Sequence, residues 1–182
     1  FVLRWDDDDG VIISDSAISE ALAHLEEVWS LFIEELGFYA PYTGLEDKYK
    51  VNVWVSDQGW ATGAGRSDMT TPGEHPGMWV HYNALQEPTV TAHEFAHTLQ
   101  YMAGGMRDSR YVGWYWESHA EFMTHQFYPD SVGCSNTLVN APYLYYGSTR
   151  NRYCNWQFTE FIAQTVSMSA VNHIWASSLR KP

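Results

Sequence analysis

The sequence predicts an α+β domain, and three observations carry that expectation. Short segments of alternating apolar residues occur in its first half. Apolar residues recur at helical spacing in several longer stretches. Strands mix with helices up to about residue 105, and almost only helices follow. Its 182 residues suit one domain over 1–182, with sub-lobes of about 1–105 and 106–182.

Phe1 to Trp5 reads as a strand, and the acids Asp6 to Asp9 before Gly10 read as a solvated turn. Ser14 or Ser16 can cap a helix running to about Leu36. Its apolar stripe is Ile18, Leu22, Leu25, Trp29, Phe32 and Leu36, and Gly37 stops it. His24 lies off that stripe and reads as a surface residue. Tyr49 to Ser56 is a strand with Val51, Val53 and Val55 on one face. Gly59, Gly63 and Gly65 then predict a loop, and Pro72-Gly73 and Pro76-Gly77 bracket a turn. Met78 to Tyr82 reads as a short strand. A helix should start at Glu87-Pro88, with Thr89 or Thr91 as its cap, and end at Gly104-Gly105. Another runs from about Trp114 to Phe127, before Pro129. Ser131 to Arg152 is rich in turns, and Asn155 to Gln164 and Met168 to Ser177 read as helices.

Composition narrows the function. Hydrophobic residues make up 45% and aromatics 16%, with 9 Trp and 12 Tyr, so the chain can bury a real core. The net charge of -12 repels phosphate backbones and argues against nucleic acid as a partner. No apolar stretch approaches the ~18 residues of a membrane span. The abrupt start at Phe1, with no signal peptide, reads as a mature or excised fragment. Cys134 and Cys154 sit in polar, irregular sequence, which favours a Cys134–Cys154 disulfide over two free buried thiols.

The chemistry concentrates in Thr91-Ala-His-Glu-Phe-Ala-His-Thr-Leu-Gln-Tyr101. On a helix, His93 and His97 lie one turn apart on one face, so both imidazoles can reach a single metal ion. Glu94 is placed to act as a general base on water held by that ion. A catalytic zinc needs three protein ligands and one open position. Glu117, twenty positions after His97 and early in the next helix, is the expected third ligand. Glu121, one turn further, can accept the second N–H of a ligand imidazole and fix its tautomer. His119 faces elsewhere on that helix, and His125 and His173 are expected in structural roles.

The pattern His93-Glu94-x-x-His97, a gap, then Glu117 and Glu121 resembles the gluzincins, the thermolysin-like branch of zinc peptidases. The usual Asn before the third ligand is replaced by Trp116. Most of the chain is also similar to uncharacterised secreted zincin-like proteins of bacteria and fungi. The stretches that carry this are Phe1-Val-Leu-Arg-Trp5, Tyr49-Lys-Val-Asn-Val53, Gly77-Met-Trp-Val-His81, His93-Glu-Phe-Ala-His97 and Trp114-Tyr-Trp-Glu-Ser-His-Ala120. The resemblance implies a zincin-like fold with a mixed, mainly antiparallel sheet, a metal-bearing helix and a mostly helical lower lobe. It implies Zn2+ as cofactor and a secreted location. It also implies a Tyr or His that steadies the developing oxyanion. Tyr145, Tyr146, Tyr153 and His173 are candidates, and Tyr146 leads because Gly147 follows it. An edge strand before the metal helix would bind extended substrate, which places Trp79 and His81 at the groove.

The expected function is a zinc-dependent peptidase acting on a polypeptide or glycoprotein. One alternative is a zinc-bearing module that binds glycan or glycoprotein without hydrolysis, favoured by the Trp and Tyr content, and another is a zinc hydrolase acting on a non-peptide bond. Glu94 speaks against the binding module, since a structural zinc site has no use for it.

Overall fold

The computed structural model describes residues 1–5, 12–41, 49–67, 74–104, 112–131 and 140–177. The expected turn at Asp6–Gly10, Pro72-Gly73, Gly105 and Cys134 lie outside them. Four strands, β1 (Val2–Arg4), β2 (Asn52–Ser56), β3 (Ala61–Ser67) and β4 (Glu74–His81), form one sheet in the order β1-β2-β4-β3. Five α-helices accompany it among the described residues: α1 (Asp15–Trp29), α2 (Pro88–Ala103), α3 (Gly113–Phe127), α4 (Trp156–Thr165) and α5 (Met168–Ser177).

The α+β class therefore holds, but the sheet is not mainly antiparallel. β1 pairs with β2 and β2 with β4 in parallel, and only β3 and β4 run antiparallel. Helix α1 is the crossover that returns the chain from β1 to a parallel β2. Its Ser14 cap accepts from the Ala17 N–H at 3.2 Å, as the helix-start pattern requires. Past Trp29 the helix widens into a π-type segment, Ser30–Glu35, and Gly37 closes it at φ +68°.

The inner face of the sheet buries Val53, Val55, Met78 and Val80. They share one core with Leu25, Val28 and Phe32 of α1 and with Ala92, Phe95, Ala96 and Leu99 of α2. Phe95 is the hinge of that packing. Trp29 stacks on it at 5.9 Å and Phe1 meets it edge-on at 4.9 Å. Each such side chain, buried, contributes about 1.5–3 kcal/mol. The same core runs on into Phe122 and Met123 of α3 and Trp175 of α5.

Two departures from the expected elements matter for the site. The Gly-rich segment after Gly59 is not a loop but strand β3. Gly63 shows why: a Cβ there would lie 1.8 Å from the Glu94 carbonyl oxygen, so only glycine lets the strand cross α2. Helix α2 itself starts with Pro88 in its first turn and Glu87 as N-cap, with no side-chain cap bond. Thr91 instead donates to the Pro88 carbonyl at 3.1 Å. His24 is half-buried and not a free surface group. Its Nε2 lies 2.9 Å from that same carbonyl, and Tyr128 OH is 3.2 Å from its Nδ1. No helix among the described residues is long and apolar enough to cross a membrane.

Candidate metal centre

Helix α2 is buried along most of its length, so its two histidines emerge from packed surroundings. Their rings stand edge to face, 4.7 Å apart. Helix α3 packs alongside and brings in Glu117. The Nε2 atoms of His93 and His97 each lie 3.2 Å from Glu117 Oε2. One donor atom from each residue falls within 4.8 Å of the others. Tetrahedral metal–ligand bonds of ~2.1 Å place donor atoms about 3.4 Å apart, so this spacing fits an ion held by all three. Two imidazoles and a carboxylate are a donor set that suits a divalent metal ion.

Each histidine has its second nitrogen facing a side-chain oxygen. His93 Nδ1 is 3.0 Å from Glu121 Oε1. His97 Nδ1 is 2.8 Å from Gln100 Oε1. Such bonds orient the rings toward a metal. Burial pushes the His93 pKa down, but its bonds to Glu117 and Glu121 outweigh this and raise it to about 9. Glu117 experiences the reverse. Burial favours its neutral form, yet the bonds and charges of His93 and His97 hold it far below the usual carboxylate range.

Glu94 is 8% exposed and sits where α2 meets β3. Burial raises its carboxyl above the usual range, while the charges of His97 and His93 and the Gly63 N–H pull it part of the way back. Gly63 of strand β3 packs directly against the Glu94 backbone. The Glu94 Oε2 is buried with no hydrogen-bond partner. A buried carboxylate oxygen left open beside three metal donors is suited to take a proton.

Two further groups reach the cluster from the 3-10 segment Thr149–Cys154. Arg152 Nε is 3.9 Å from Glu117 Oε1. Its Nη2 donates to Tyr153 OH at 3.2 Å, and the Tyr153 ring lies 6.0 Å from that of His93. Burial and the Glu117 charge both raise the Tyr153 hydroxyl pKa. The segment is anchored by Ser118, adjacent to Glu117, which donates to the Arg152 carbonyl at 2.6 Å. The same turn of α3 thus carries a candidate metal donor, Glu117, and ties down this loop.

The other expected site residues fall elsewhere. Tyr146 donates its hydroxyl to the Asn155 carbonyl and packs edge-on against Trp114 and Phe158, so it is a packing residue and not a donor to the centre. Trp79 and His81 also need correction. β4 lies inside the sheet, and its alternation turns both away from α2. Trp79 stacks on Trp54 at 4.7 Å, and Gly77 leaves room for the Trp54 ring, 2.3 Å from where a Cβ would stand. His81 packs against Tyr82 at 4.3 Å. Among the described residues, the sheet edge beside α2 belongs to β3. His119 is wholly buried against Gln100, His125 stacks on Trp156 at 4.0 Å, and His173 and Tyr145 are exposed. Cys154 is buried and is not a free thiol, while Cys134 lies outside the described residues.

Sequence reasoning passed over Gln100 and Gly63, and ranked Tyr153 behind Tyr146. Only Gln100 left a readable signal, as a polar residue one turn beyond His97 on a buried helix.

Residues 6–182 match the model of DUF6055, a family of unknown function. No curated protein and no solved structure gives a significant match.

Proposed function

The chain belongs to DUF6055, a family without an assigned function, and we propose from its own site that it is a zinc-dependent peptidase of zincin-like architecture. The observation that carries this reading is the Glu94 carboxylate, buried with an open Oε2 beside the His93, His97 and Glu117 donors. A purely structural ion has no use for such a group. Zinc is favoured because a mixed imidazole and carboxylate set with three protein donors leaves one position open.

Bound there, zinc would activate water and polarise a substrate carbonyl. Glu94 would take the proton from the attacking water and deliver it to the departing amine. Tyr153 and Arg152 are the donors at hand for the negative charge that develops on the carbonyl oxygen. Strand β3, at the sheet edge and beside Glu94, would hold an extended peptide by main-chain hydrogen bonds.

The test is Glu94→Gln, assayed with zinc-loaded protein on an unfolded polypeptide. Zinc content should stay at one per chain while hydrolysis falls by roughly 10²–10⁴-fold. Full activity in that variant would overturn the mechanism. A wild type that holds zinc and cleaves nothing would instead support the binding module.

A further inference from the structure

We propose that Gln100 is a positioning residue for the metal centre: its side-chain carbonyl sets which nitrogen of His97 carries the proton, and so presents Nε2 to the ion. The proposal rests on the metal-site reading above. A neutral imidazole can carry its proton on either nitrogen, and only the bare one can bind a metal. Whatever accepts from Nδ1 therefore decides whether Nε2 is a donor.

Gln100 lies one turn after His97, so the two side chains share a face of α2. The orientation of its amide follows from its partners. Gln100 Nε2 donates to the Trp116 carbonyl at 3.0 Å. A backbone carbonyl has no proton to give, so the amide nitrogen must face it. The second amide N–H points to His119 Nδ1 at 2.9 Å. Both donors are thereby used on the α3 side, and Oε1 is left facing His97 Nδ1 at 2.8 Å. That contact is a hydrogen bond only if Nδ1 carries the proton. In the neutral ring that metal binding requires, Nε2 is then the bare atom, and it is the one that lies 3.2 Å from Glu117 Oε2.

Gln100 is held firmly enough for this task. It is wholly buried, and its backbone carbonyl accepts from Trp175 Nε1 at 2.9 Å. Its bond to Trp116 also ties α2 to the residue just before Glu117. One side chain thus fixes the proton on one ligand and braces the helix that carries another. Burying an amide costs free energy that an apolar side chain of similar size would not incur, so a purely packing position gives no reason for it. The two histidines are also supported differently: His93 by a carboxylate, His97 by a neutral amide.

The experiment compares wild type with Gln100→Met, which keeps length and volume but loses the amide. Zinc dissociation constants are measured by competition with a chromogenic chelator, and absorption spectra are recorded with cobalt(II) in place of zinc. Gln100→Met should bind zinc 10–100-fold more weakly, with an altered cobalt spectrum. A variant that melts earlier yet has the wild-type dissociation constant and spectrum would show mere packing and overturn the proposal. Ring-nitrogen NMR of zinc-loaded wild type needs no variant. Nδ1 of His97 should be protonated and Nε2 metal-bound, and the opposite assignment would also overturn it. Absence of zinc uptake by the wild type would remove the metal-site reading and this proposal together. Uptake with an indifferent Gln100→Met would remove this proposal alone.

Discussion

Glu94 and Glu117 are carboxylates in one buried cluster, and their surroundings drive them apart. Hydrogen bonds from two imidazoles keep Glu117 ionised, while burial raises the Glu94 carboxyl above the usual range. His119 shows burial without such a carboxylate partner. Burial, helped by the His97 charge, lowers its pKa to about 3. Between its unfolded pKa of about 6.5 and that value, the unfolded chain binds a proton that the folded chain refuses. Stability should therefore drop as pH falls through this window, by about 1.4 kcal/mol per pH unit from this residue. His24, lowered chiefly by burial, acts in the same direction. The raised pKa of His93 has the opposite sign, and its contribution is lost only as pH rises toward about 9. Urea melts in chelator between pH 6.5 and 5 should show the fall, and His119→Asn should flatten it. A wild-type curve that stays level there would refute the assignment. The motif residues were legible because a four-residue spacing has one geometric meaning on a helix. Tyr153 was not, since its approach to His93 depends on a distant loop docking on Ser118. Tyr146 misled because Gly147 makes room for the ring of Tyr145, whose hydroxyl would stand 2.8 Å from a Cβ there.

At the level of elements, most helices could be read from periodicity, and strand order could not. A parallel pairing such as β1 with β2 joins segments some fifty residues apart, and no local pattern announces it. The π-type end of α1 keeps apolar residues near helical spacing, so it too was invisible. β3 was lost for a different reason. Glycines suggest a loop when seen alone, but Gly63 is required by the close approach of α2. Gly63→Ala should force β3 away from Glu94 at a cost of about 1–3 kcal/mol. Zinc affinity should weaken along with hydrolysis, because the added methyl would also press on the Cβ of His97, 3.0 Å away. Thermal melts and metal titration of the same preparation test this, and wild-type stability with wild-type zinc affinity would contradict it.

For the whole molecule, a single core joins the sheet, α1, α2, α3 and α5, and Trp175 stitches the last helix to Gln100. A chain with that much buried apolar surface does not need an ion in order to fold. The chelated protein should melt cooperatively, and zinc at about 1,000 times its dissociation constant should add about 4 kcal/mol. For a domain of this size that is roughly 8–16 °C in Tm. A chelated protein that is unfolded would refute this. The meeting of Glu117 with both imidazoles at 3.2 Å has a kinetic side as well. An ion that lands on the two histidines finds its third donor already at hand, at an effective concentration no free carboxylate could match. Capture then involves no search by the chain, and release involves no unfolding. Under the proposed function, such a protein would be stored empty and switched on by the supply of metal.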